Sequence, residues 1–238
     1  QAELVAAQRQ VEEAGLPNAR TGAADFPLPS LRDTLDRVVH ELCHGRGFAV
    51  LHGVPTAGFE LPQLERIYWG LCTHMGRGVT QNSDTGLIHY VTDGRLRPRQ
   101  GTRGVGAPGP VELHVDLGDT VALYCVQQAP DDPPSVVSSS MTVYNEIVRQ
   151  HPEWLPRLEE GFIWDRAGEQ APGESEVSDY PVPAWSKAGG TVTCRFHPKW
   201  IRKGLARIGR SLTAAEEKIF DFIRDVADAN CFAFPLHA

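Results

Sequence analysis

VELHVDLGDTVALYCVQQAP, residues 111–130, is the stretch on which the reading of this chain turns. It carries His114 and Asp116 two positions apart at what reads as a strand end, followed by a run of small and apolar residues. From there one imidazole and one carboxylate can reach the same cation. With a second, distant histidine they form the two-histidine, one-carboxylate face that holds non-haem Fe(II) and leaves coordination positions open. The tripeptide alone says little. Nine histidines and thirty acidic residues in 238 give roughly one H-x-[DE] by chance, and a second copy stands at His151-Pro152-Glu153. Context separates them. Pro152 opens a helical segment, so the second copy reads as helix-start chemistry. His114 instead follows a long loop and leads into a strand, the setting in which a site is expected.

Upstream, residues 76–110 are rich in Gly, Arg, Thr, Pro and Asn, with one strand expected at 87–91. So long a segment with so little pattern reads as an active-site lid loop. Before it, helices are expected over 3–15, over 31–44 with Ser30 as N-cap, and over 61–75, with a buried strand at 48–54. Downstream, strands are expected at 111–114, 120–128, 135–139, 161–165 and 191–196, and another beginning at Cys231. Helices are expected over 141–150 and 212–229, with a short one begun by Pro152. The last long helix has a capping box, Thr213 with Glu216. The pattern is α+β.

The formal charge is −7, from 23 basic and 30 acidic side chains, which argues against non-specific nucleic-acid binding. No apolar run is long enough to span a bilayer. The five cysteines are scattered and form no CxxC, so they read as reduced, mostly buried thiols of a cytoplasmic protein rather than a zinc site.

The chain resembles the TauD/TfdA, or clavaminate-synthase-like, branch of Fe(II)/2-oxoglutarate-dependent dioxygenases. RGFAVLHGVP (46–55), VELHVDLGDTVALYCVQQAP (111–130), SVVSSSMTVYNEI (135–147), and FIWDRAGE followed by TVTCRFHPKWI carry the resemblance through their order and spacing. The resemblance implies a double-stranded β-helix (jelly roll) core with flanking helices. It implies an oxygenase that uses Fe(II), 2-oxoglutarate and O2 to hydroxylate or otherwise oxidise an unactivated C–H of a small metabolite, releasing succinate and CO2. A carboxylate-bearing substrate from secondary metabolism fits it, and homo-oligomerisation is left open. His114 and Asp116 match the first two iron ligands. Ser135 falls where the family has a Ser or Thr that hydrogen-bonds the far carboxylate of 2-oxoglutarate, although the preceding turn here reads Asp131-Asp132-Pro133-Pro134.

The family's second histidine and its 2-oxoglutarate-binding arginine come after a strand and a Gly-Asp turn. CFAFPLHA resembles that strand, so residues 1–238 read as a single oxygenase domain lacking its C-terminal part, with the second histidine beyond His237. The alternatives are His237 itself and then His197, which otherwise reads as a rim histidine. Arg95, Arg97, Arg99 and Arg103 read as solvated surface or as recognition of a substrate carboxylate. Gln81, Asn82 and His89 could line a pocket. Asp119 is expected to bond the local backbone at a turn. Trp154, Trp164, Trp185 and Trp200 read as packing. Three rivals remain: a catalytically inactive jelly-roll homologue acting as a binding module, a zinc hydrolase built on His114 and Asp116, and an interaction protein with no site.

Overall fold

The computed structural model describes residues 1–81, 86–91, 111–128 and 134–236. The chain divides into two compact units. One comprises residues 1–79, 120–133 and 235–238, and the other 80–119 and 134–234.

The first unit is helical: α1 (Ala2–Glu13), α2 (Arg32–His44) and α3 (Leu61–Thr73). Leu4, Ala7 and Val11 of α1 lie on one helical face and form a core with Phe26, Leu28, Leu35 and Leu71. Gly70 lets the Phe26 ring lie against α3, where a Cβ would stand 2.3 Å from ring carbons. Ser30 does not cap α2. Its hydroxyl and amide are both held by Glu3, and α2 starts from a 3₁₀ turn with no side-chain cap. Residues 48–54 and 120–128, expected as strands, join no ladder among the described residues. Val50, Leu51, Val121 and Leu123 are exposed there. Tyr68 and Tyr124 tie segments of this unit together, donating to the carbonyls of Ala122 and Pro55.

The second unit mixes helix and strand: β1 (Ser135–Ser138), α4 (Ser140–Gln150), α5 (Leu155–Glu160), β2 (Trp185–Ala188), β3 (Thr191–Cys194), α6 (Pro198–Arg207), α7 (Ala214–Ala229) and β4 (Cys231–Phe234). β1 pairs antiparallel with β4, Ser135 opposite Phe234 and Ser138 opposite Cys231. β2 and β3 form a hairpin whose turn, Gly189-Gly190, has positive φ at both residues, as a two-residue primed turn requires. Residues 161–165 make two isolated bridges, to Val182 and Val177, rather than a strand. The described strands thus form two two-stranded sheets within a mixed α+β unit.

The core of this unit joins Val143 and Ile147 of α4, Ile201 and Leu205 of α6, and Ile219, Phe220, Ile223 and Ala227 of α7 to Phe162, Trp164, Trp185 and Phe196. Thr213 caps α7 and Glu216 returns the bond to the Thr213 amide, so the expected capping box is present. Helix α6 was not expected from the sequence. Its Gly204 packs against the backbone of residues 163–165, where a Cβ would stand 2.5–2.6 Å from main-chain atoms.

Candidate metal centre

Leu113 packs against the core of the second unit, and the next residues run beside the end of the β3 segment. The Val115 amide donates to the Phe196 carbonyl at 2.8 Å. That one bond sets the register. His114 and Asp116 flank Val115, and His197 follows Phe196, whose ring is fixed in the core against Phe220 and Trp185. One ligand-type atom from each of His114, Asp116 and His197 lies within 4.8 Å of the others, the one such trio of His, Cys, Asp or Glu found among the described residues.

The ring of His114 is oriented from behind. Its Nδ1 lies 2.8 Å from the Glu112 carbonyl oxygen. A carbonyl only accepts, so Nδ1 carries a proton, and in the neutral ring this leaves the lone pair on Nε2. Nε2 stands 3.8 Å from Asp116 Oδ1. His197 is buried, 8% exposed, whereas the side chains of His114 and Asp116 are 28% and 31% exposed, so the cluster has one closed and one open side. The His197 ring lies 4.3 Å from that of His114 and stacks at 4.3 Å and 8° on Trp200. Trp164 meets His197 edge-on at 6.3 Å.

The other residues singled out from the sequence fall elsewhere. Ser135 opens β1, half-buried and opposite Phe234. His151 and Glu153 bond one another at 3.1 Å, with His151 stacked on Trp154. Asp119 does not turn to the local backbone. Its carboxylate pairs with Arg195 at 3.1 Å, joining the two segments that carry the trio. Trp164 and Trp185 are core residues. Gln81 and His89 are half-buried. Asn82, Arg95, Arg97, Arg99, Arg103, His237 and most of the 76–110 loop lie outside the described residues. The carbonyl of Glu112, which orients the His114 ring, carries no sequence signal, since it is main chain.

The family model described as taurine catabolism dioxygenase TauD, TfdA family matches residues 12–238. The chain belongs to the TauD/TfdA family. It is 28% identical over 230 residues to FR-33289 synthase of Streptomyces rubellomurinus, a match covering 95% of this chain and 67% of that protein. It is 26% identical over 243 residues to the taurine hydroxylase-like protein SAT17 of Stachybotrys chartarum, covering 95% of this chain and 60% of that protein. The chain thus spans about two thirds of the first relative and less of the second.

TauD/TfdA membership marks the chain as an oxygenase by family, and the trio can be tested for its fit to iron. Two imidazoles and one carboxylate are the donor set that suits non-haem Fe(II). Ligand bonds of ~2.1 Å put neighbouring donors about 3 Å apart, so the 3.8 Å between His114 and Asp116 needs only small side-chain rotations. No cysteine is part of the trio, and burial pushes the Cys72 thiol up to about 11 and the Cys194 thiol up to about 12. The residues present fit the metal. In addition, no described helix is long and apolar enough to cross a membrane.

Proposed function

We propose that this chain is the catalytic portion of an Fe(II)/2-oxoglutarate-dependent oxygenase acting on an unactivated C–H of a small, carboxylate-bearing metabolite, on the double-stranded β-helix framework of its family. The observation that carries the reading is the convergence of His114, Asp116 and His197 on one point. His114 and Asp116 are assigned as metal ligands on motif and geometry together, and His197 stands beside them on geometry alone, away from the place where the family's order puts its second histidine. Ser135 is assigned to the far carboxylate of 2-oxoglutarate on its place after the metal turn.

Bound there, Fe(II) with 2-oxoglutarate supplies the activation of O2 needed for C–H oxidation, with succinate and CO2 as co-products. The chain's own residues do the rest. Glu112 holds the proton of His114 on Nδ1, so that Nε2 would be free to ligate the metal. Asp116 supplies one negative charge, which leaves the ion cationic enough to bind a keto-acid. Trp164 and Trp200 wall the His197 side and keep water from it, so co-substrate and substrate approach from the open side.

The test is an anaerobic titration with Fe(II) and 2-oxoglutarate, read by the visible iron-to-keto-acid charge-transfer band. The wild-type chain gives the band, and His114→Ala with Asp116→Ala abolishes it. Retention of stoichiometric iron by the double variant would sink the assignment. Absence of a band in the wild type would favour the binding-module reading instead.

A further inference from the structure

We propose that His40 and His44, on α2 in the first unit, form a second metal site, a two-imidazole chelate for a divalent transition metal ion such as Zn(II) or Ni(II). It shares no residue with the centre at His114 and Asp116 and does not depend on it. Positions four apart on a helix stand one above the other on the same face. Both side chains are exposed, and their ring centroids lie 5.2 Å apart with the planes tilted by 49°. That separation can be set against coordination geometry. A metal–nitrogen bond of about 2.1 Å puts an imidazole centroid about 3.2 Å from the ion. Two such rings then stand about 4.5 Å apart at a right angle and about 5.2 Å apart at the tetrahedral angle. The pair thus has a ligating separation without any movement of the backbone, and the ring torsions that aim the nitrogens are soft. The same i, i+4 spacing puts two helical histidines on one zinc ion in the H-E-x-x-H motif.

The surroundings suit a cation. His44 is the last residue of α2, where the helix dipole presents its negative end and favours positive charge. The rings stand in water, so taking up the ion buries no charge. Glu41, the acid next to His40, is turned away. Its carboxylate bonds the Arg46 amide at 3.1 Å and pairs with the Arg46 side chain at 3.2 Å, which leaves the remaining coordination positions to water. The helix also has use for a clamp. It has no side-chain N-cap, and Leu35 alone is buried on it. An ion bridging residues 40 and 44 requires the turn between them to be formed, so its binding stabilises the C-terminal end of α2. With two neutral donors and no carboxylate, this is the weaker of the two sites. Fe(II) and Co(II) lie below Ni(II) in the Irving–Williams order. Either ion, at a level that fills the centre at His114 and Asp116, therefore leaves the α2 pair largely empty, and Ni(II) is the better probe of it.

The experiment is a calorimetric Ni(II) titration of the untagged full chain carrying His114→Ala, Asp116→Ala and Cys43→Ser, repeated with His40→Ala or His44→Ala added. The three background changes remove the other centre and the exposed thiol beside His44, so the imidazoles are tested alone. One ion per chain should still bind. Chelation makes the second bond intramolecular, so each histidine change should weaken binding about tenfold or more. Alanine is the best helix former, and far-ultraviolet circular dichroism should stay that of the background chain. Binding unchanged by His40→Ala or by His44→Ala overturns the proposal, as does a background chain that binds no Ni(II). A check that needs no variant is amide exchange in the wild-type chain. The Gly45 amide donates to the Glu41 carbonyl at 3.0 Å across the last turn of α2. Saturating Ni(II) should slow exchange at His44 and Gly45, and unaltered exchange there would show that no ion spans the turn.

Discussion

Glu216 shows how much one side chain can be asked to do. Its carboxylate accepts from the Thr213 amide and hydroxyl and from the Arg157 guanidinium, which also donates to the Gly161 carbonyl and lies over the Phe162 ring. Burial pushes the Glu216 carboxyl up, but the hydrogen bonds from Thr213 and Arg157 together outweigh it and hold it below the ordinary carboxylate value. A depressed value in the folded state means stability that is present above the unfolded carboxylate range and is lost as pH falls through the folded value. Glu216→Gln should therefore cost about 1–3 kcal/mol at pH 7. The gap to wild type should close on the acid side of the carboxylate range, as urea unfolding at both pH values will show. A gap that did not change with pH would mean that shape, not charge, is what Glu216 contributes. This residue was legible in the sequence because a capping box is local, with Thr213 and Glu216 three apart. His114 and Asp116 can be picked out together for a similar reason, being two apart. That they lie close to His197 cannot be read this way, because nothing near His197 in sequence says that it faces His114, and the bond between Val115 and Phe196 that brings them together is a tertiary fact.

Helices read from spacing alone came out close to their bounds where an apolar face repeats, as in α1, α3 and α7. Helix α6 escaped for a physical reason. Its buried face runs Pro198, Ile201, Gly204 and Leu205, so two of the four positions carry a proline and a glycine, which do not read as an apolar repeat and weaken a helix. The glycine is there because α6 sits on the main chain of residues 163–165, a contact that no propensity scale records. Strands were misread for the complementary reason. Residues 48–54 and 120–128 have strand composition, but a strand exists only with a partner, and composition does not name one. The close contact gives a sharp prediction. Gly204→Ala would place a methyl 2.5–2.6 Å from backbone atoms that cannot rotate away. It should cost about 1–3 kcal/mol or more by overpacking, despite the better helix propensity of alanine. Because His197 is the N-cap of that helix, Co(II) binding should weaken as well. Stability lost with binding unchanged would mean that α6 tilts about its first turn, and that the site is held by the Val115–Phe196 bond alone.

At the scale of the whole chain, each unit has a core of its own, and the candidate centre lies entirely within the second. The order and spacing of motifs along 238 residues made the family legible, and the family match over residues 12–238 bears that out. No single segment would have done so. The substrate stayed illegible because selectivity is a matter of which side chains a folded loop presents, and loop composition does not encode that. The arrangement of the donors has a thermodynamic consequence. The three candidate donors lie on two segments, 114–116 and 197, so an ion held by them would tie these segments together. An ion that binds only the folded chain stabilises it by about 2.7 kcal/mol at a hundredfold excess over Kd. For a chain of this size that raises Tm by roughly 5–11 °C. Co(II) at that excess should therefore raise the wild-type Tm by this amount, and slow hydrogen exchange at the Val115 and Ile201 amides, which lie between and beside the donors. Asp116→Asn should lose most of the rise while keeping the apo Tm, since its side chain is part-exposed and surface changes of this kind usually stay within about 0.5 kcal/mol. A rise of equal size in wild type and Asp116→Asn would place the stabilising cation somewhere other than this trio.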